Sequence, residues 1–179
     1  RVGHALWSLI KSPMNAETEW TLDDKFSRVK AAGFEGVDCS LSAETESEVS
    51  EALKRHDLRL SLGHRPFSVE DTRETIDRAV RLGAEFITCQ PASAYHSLPD
   101  VVKIVTEGRK IANDAGIPYY VETHRNNYTE TLRQTIELIE AVPDIRITAD
   151  LSHFVVVGEF YGWADEGARF ERLLAAGRR

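Results

Sequence analysis

The sequence predicts an α/β fold built on a parallel sheet. Three observations carry this expectation. An amphipathic helical stretch, a Gly or polar turn and a short apolar run follow one another repeatedly along the 179 residues. The unit is about thirty residues long and occurs six times. No linker or low-complexity stretch interrupts the series, so residues 1–179 read as one domain. Strand–helix units in head-to-tail order join parallel strands through helical crossovers.

The first apolar run, near 4–10, predicts a strand. In "DDKFSRVKAAGFEGVDCS", Phe26, Val29 and the Ala31/Ala32 pair fall at helical spacing, predicting a helix over 22–33 and a strand over 35–40. Gly33 supplies the left-handed turn that closes that helix. "EVSEALKRHDLRLSLGH" repeats the unit, with a helix near 47–55 and a strand near 58–64. In "DTRETIDRAVRLGAEFITCQ", Ile76, Ala79 and Val80 mark a helix over 69–82, Gly83 stops it, and a strand over 85–90 follows. Pro99 near the start and Gly116 past the end bound a helix over 99–115, before a strand over 118–124. Leu132, Ile136 and Ile139 share one face of a helix over 129–141, which leads to a strand over 145–150. A sixth helix is expected over about 165–176.

Composition narrows the function classes. Hydrophobic residues make up 42% and charged residues 28%, as in ordinary soluble domains. With 22 Lys and Arg against 29 Asp and Glu, the net charge is −7, which disfavours a nucleic-acid partner. No apolar run is long enough to span a membrane. Cys39 and Cys89 each lie in an expected strand and form no CxxC, which fits a reducing cytoplasmic setting. The start, "RVGHALWSLIKSP", does not read as a signal peptide. It also lacks an initiator Met, so the chain as given need not begin where its gene does. "NYT" at Asn127 matches a glycosylation acceptor only formally in a cytoplasmic protein.

Two architectures fit the repeat: an open doubly wound sheet and a (β/α)8 barrel. The open sheet usually carries a Gly-rich first turn, and neither G-x-G-x-x-G nor a Walker A motif is present. The unit length suits the barrel, of which about six units would be present.

In either architecture the site lies at the carboxyl ends of the strands. Alternation puts Tyr120, Glu122 and His124 on one face of strand five, and Thr148 and Asp150 on one face of strand six. His153 lies three residues on, in the expected loop. On strand three Leu60, Leu62 and His64 share a face, and on strand two Asp38 and Ser40. An acid at the mouth of an apolar sheet loses hydration, and two acids on adjacent strands repel. A shared divalent cation removes both costs, and carboxylates with one or two imidazoles suit Mg²⁺, Mn²⁺ or Zn²⁺. Glu122 and Asp150 are therefore the expected metal ligands, with His153 reaching the metal or a substrate hydroxyl. Taken singly, a strand-end acid is more often a helix cap or the partner of an arginine such as Arg125. The repeat of acid plus histidine on neighbouring strands favours the cation. His64 and His124 stand between a substrate role and an inert one. Trp7 ends the first apolar run as core or as the wall of a sugar pocket. His4, His56 and His96 are assigned to surface or local packing, Trp20 and Trp163 to loops. Neither H-E-x-x-H nor G-x-S-x-G occurs, and neither cysteine has a nucleophile's setting.

The segments "AAGFEGVDCS", "LGAEFITCQ", "VETHRNN" and "DLSHF" together resemble the xylose isomerase-like barrel superfamily of sugar phosphate isomerases and epimerases, over nearly the whole chain. The E-T-H at strand five followed by D-x-x-H at strand six is the most specific part. The resemblance implies a (β/α)8 barrel and a single divalent cation, commonly Mn²⁺ or Mg²⁺, that polarises a sugar carbonyl while acidic residues move the adjacent proton. It implies Glu122 and Asp150 as ligands, Glu122 also in proton transfer, and His153 beside the substrate. Such barrels supply further ligands from strands seven and eight. This chain stops where strand seven would begin, so a longer protein, or a second copy pairing at the free strand edge, is expected.

The expected function is thus a metal-dependent isomerase or epimerase of a sugar, sugar phosphate or related polyol, with a cyclic-polyol dehydratase as a close variant. One alternative is a zinc-dependent abasic-site endonuclease of the same superfamily, drawing on His64, Glu122, Asp150 and His153. Against it stand the charge and Gln90 at the end of strand four, where a histidine is wanted. The other alternative is a non-catalytic partial barrel.

Overall fold

In the computed structural model, which describes residues 3–9, 11–13, 17–158 and 171–175, six parallel strands form one sheet in the order β1-β2-β3-β4-β5-β6. The strands are β1 (Gly3–Ala5), β2 (Gly36–Cys39), β3 (Arg59–His64), β4 (Phe86–Cys89), β5 (Tyr119–Glu122) and β6 (Ile147–Thr148). The helices are α1 (Leu22–Ala31), α2 (Glu46–His56), α3 (Val69–Leu82), α4 (Leu98–Asp114), α5 (Leu132–Ala141) and α6 (Ser152–Gly158). Each crossover advances one place in the same direction. A doubly wound sheet reverses direction partway, whereas a barrel never does. The strand order therefore selects the (β/α)8 type, with about six units present.

Local chemistry sets the helix ends. Thr21 and Ser68 each form a capping box, with Asp24 and Asp71 respectively, and Ser97 and Thr131 cap α4 and α5 through their hydroxyls. Each cap contributes about 1 kcal/mol. Two glycines of "GFEGVD" have separate physical causes. Gly33 has φ +86°, which closes α1 without the strain a Cβ would bring. At Gly36 a Cβ would lie 2.8 Å from the Arg59 carbonyl oxygen, so only glycine allows β2 this close to β3.

The two faces of the sheet have different tasks. Val37, Cys39, Leu60, Leu62, Ile87, Cys89 and Tyr119 pack under the helices with Phe26, Val29, Ile76 and Ala79. Val121 and Ile147 continue this layer with Val105 and Leu138. Burial pushes the thiols of Cys39 and Cys89 up to about 12, so both are inert. On the opposite face Asp38 accepts a hydrogen bond from Ser61 at 2.6 Å, and Phe86 meets Tyr120 edge-on at 5.6 Å. This is the interior of the barrel, and it carries the polar residues.

Several elements depart from the sequence expectation. The first strand ends at Ala5, and a 3-10 turn covers Leu6–Leu9. The Ser8 hydroxyl donates to the Ala5 carbonyl at 2.9 Å, which a longer ladder would have used. The fifth helix starts at Leu132, because a 3-10 turn over Tyr128–Glu130 and the Thr131 cap precede it. β6 has only two residues, and the chain turns at once into α6, which was expected as loop. Of the expected helix over 165–176, residues 171–175 are helical, and 165–170 and 176 lie outside the described residues, as does Trp163. Among the described residues no helix is long and apolar enough to cross a membrane.

Candidate metal centre

Glu122 is the last residue of β5, and Asp150 follows β6 by two residues. Parallel pairing of Glu122 with Thr148 brings these strand ends together. One ligand atom from each of Glu122, Asp150 and His153 lies within 4.8 Å of the other two. His153 is in the first turn of α6 rather than in a loop, and its Nε2 stands 3.5 Å from Asp150 Oδ2. Asp150 has two roles at once. Its Oδ1 accepts from the Ser152 amide at 3.0 Å and the Ser152 hydroxyl at 2.6 Å, which anchors α6, while Oδ2 turns to the imidazole. The cap thus occupies Oδ1 and leaves Oδ2 outside it.

Glu122 Oε2 accepts from Gln90 Nε2 at 2.5 Å. No Lys or Arg among the described residues forms an ion pair with Glu122 or Asp150. Burial, the largest cause, raises the Glu122 pKa, with Asp38 and Asp150 adding like charge; Gln90 and His124 oppose them. Burial likewise raises that of Asp38. Burial and the nearby His124 lower the His153 pKa, so its imidazole is neutral at pH 7. Its Nδ1 is buried with no hydrogen-bond partner among the described residues.

His124 joins this group: its ring centroid is 4.1 Å from that of His153. Its Nδ1 faces the Arg125 carbonyl at 2.6 Å and must donate, leaving Nε2 to accept from the Arg65 guanidinium at 3.3 Å. His64 does not join. It shares the face of Leu60 and Leu62, is buried, and hydrogen-bonds to α3. There the Thr72 hydroxyl donates to the Ser68 carbonyl and so accepts from His64 Nε2 at 3.3 Å, while Thr75 donates to Nδ1 at 3.0 Å. Burial lowers the His64 pKa to about 4. Trp7 lies on the turn after β1, and its side chain is outside the described residues. His56 pairs with Asp23, His96 with Ser93, and His4 packs edge-on against Phe34, all locally.

Sequence reasoning missed Arg65 and Gln90 as members of this group. Both continue the interior-facing positions past the ends of β3 and β4: Ser61, Gly63, Arg65 and Phe86, Thr88, Gln90. Extending the alternation by one residue past His64 would have found Arg65, and Gln90 already ended the strand expected over 85–90. Asn127 was read only as a formal glycosylation match. Its side chain is buried and donates to the carbonyls of Gln90 and Ala92, so it ties the fifth loop to the fourth.

The family model described as xylose isomerase-like TIM barrel matches residues 26–178, and the chain belongs to that family. No curated protein matches the chain. Three solved structures illustrate the likeness. A probable 3-DHS dehydratase from Bacillus anthracis is 20% identical, with 98% of this chain and 70% of that one covered and a TM-score of 0.63. A sugar phosphate isomerase/epimerase from Parabacteroides distasonis is 13% identical, with 89% and 70% covered and a TM-score of 0.68. A xylose isomerase-like TIM barrel protein from Mycobacterium smegmatis, in complex with magnesium, is 16% identical, with 86% and 65% covered and a TM-score of 0.63. At these identities the likeness carries the fold.

Proposed function

We propose that this member of the xylose isomerase-like family holds one divalent cation, Mn²⁺ or Mg²⁺, on Glu122, Asp150 and His153. Beside it the protein isomerises or epimerises a sugar, sugar phosphate or related polyol. The observation that carries this reading is the convergence of three ligand atoms within 4.8 Å. The acids lack a compensating arginine or lysine among the described residues. The donor set fits a cation: two hard carboxylate oxygens and a neutral imidazole.

When bound, the cation supplies a Lewis acid that polarises a carbonyl oxygen. The chain's own groups do the rest. Gln90 holds one oxygen of Glu122, and this carboxylate is the group placed to take and return a proton. Ser152 fixes the rotamer of Asp150. His153 contributes a lone pair to the cation or a hydrogen bond to a substrate hydroxyl. Elimination of water from a cyclic polyol would use the same groups, and assays on ketoses against inososes separate the two. The zinc endonuclease reading has less support: both ring nitrogens of His64 are bonded to threonines of α3, and Gln90 spends its amide on Glu122.

The proposed partner is a small sugar or polyol in the cytoplasm, with neither nucleic acid nor membrane involved. A second copy at the edge of β6, which no strand pairs with among the described residues, belongs to the same reading, and gel filtration tests it. The test of the site is a Mn²⁺ titration followed by electron paramagnetic resonance. Glu122→Gln and Asp150→Asn should each weaken binding more than tenfold with unchanged circular dichroism. If both bind Mn²⁺ like wild type, the site is elsewhere.

A further inference from the structure

Beside the acids stands a cation that none of them neutralises. Arg65 extends the interior-facing positions of β3, and its guanidinium touches two uncharged acceptors. Nε donates to Gln90 Oε1 at 2.5 Å, and Nη2 to His124 Nε2 at 3.3 Å. The tautomer of His124 makes this acceptor neutral, because its Nδ1 proton is committed to the Arg125 carbonyl. Among the described residues no carboxylate pairs with Arg65.

Arg65 also lines a cavity of about 250 Å³ between the ends of β2 and β3 and helix α3, with Ser40, Leu62, Gly63, His64, Thr75 and Arg78. Arg78 lines the same cavity. Arg78 shares Glu46, at 3.3 Å, with Arg81, at 3.0 Å, and donates to the Leu41 carbonyl at 3.0 Å. Thr75 spends its hydroxyl proton on His64. Gly63 keeps the wall open: a Cβ there would meet the Ser40 hydroxyl at 3.2 Å. Arg65 reaches Glu122 through a single intervening side chain, Gln90.

We propose that Arg65 is the specificity-determining residue for an anionic substrate, receiving a phosphate or carboxylate group in this cavity while the polyol end lies at Glu122 and Asp150. The fork of a guanidinium matches both anions, and the edge not committed to Gln90 and His124 is available to them. An anion approaching three interior acids, Asp38, Glu122 and Asp150, would otherwise be repelled. This deepens the proposed function and rests on it for the polyol, but the anion subsite needs no metal.

The experiment uses the whole chain in excess EDTA and titrates it with inorganic phosphate and, separately, with acetate, read by calorimetry and by chemical shifts. Wild type is expected to bind at least one of them. Arg65→Gln should weaken binding at least tenfold, Arg65→Lys less, and Glu122→Gln should leave it equal or tighter. Tighter phosphate binding assigns a phosphorylated substrate, and tighter acetate binding a sugar acid. Equal affinity in wild type and Arg65→Gln, or no binding of either anion to wild type, overturns the proposal. So does binding that appears only with Mn²⁺ and is lost in Glu122→Gln, since the anion would then sit on the metal. The EDTA arm fails or succeeds independently of the Mn²⁺ titration, which separates this proposal from the metal reading.

Discussion

Gln90, just past the end of β4, donates its amide hydrogen to Glu122 Oε2 on the neighbouring strand across 2.5 Å. This bond favours the charged form of an acid that burial pushes toward protonation. It couples the fourth strand to the proposed metal centre without making Gln90 a ligand.

Removing the donor should therefore weaken metal binding most where protons compete. A hydrogen bond to a charged group contributes about 1.5–3 kcal/mol. Gln90→Leu should lower Mn²⁺ affinity roughly tenfold at pH 6 and less at pH 8, because the Glu122 pKa rises further and the loss grows as pH falls. Mn²⁺ titrations at the two pH values check this. An equal loss at both would mean that Gln90 only positions the carboxylate.

His64 should make the fold acid-sensitive. Unfolded, its imidazole binds a proton near 6.5; folded, it does so only near 4. Between these values the unfolded chain binds more protons, so stability is full above about 6.5 and declines as pH falls toward 4, by about 3 kcal/mol in all. His64→Gln removes this contribution. Urea unfolding at pH 7.5 and 4.5 should show a smaller difference between the two pH values in the variant than in wild type, whatever its stability at pH 7.5.

Gly36→Ala should destabilise the protein by about 1–3 kcal/mol, the usual cost of an intrusion into packed structure. Its Cβ would meet the Arg59 carbonyl oxygen at 2.8 Å, and neither backbone can move without breaking the β2–β3 ladder. The urea midpoint should fall with the slope unchanged. A midpoint equal to wild type would show that β2 can shift at no cost.

The sequence by itself determined the order of strands and helices, because amphipathic periodicity and glycine stops are local. It also brought Glu122, Asp150 and His153 forward, since acids closing apolar runs are anomalous wherever the runs pack. The same alternation that put Glu122 with Tyr120 put His64 with Leu60 and Leu62. Two apolar companions were a sign that this face meets the helices, but only packing decided it. The contacts of Arg65 with Gln90 and of Gln90 with Glu122 depended on the pairing of β3, β4 and β5. That register arises from closure of the whole sheet, where one residue of slip would exchange its two faces, and no local run of residues encodes it.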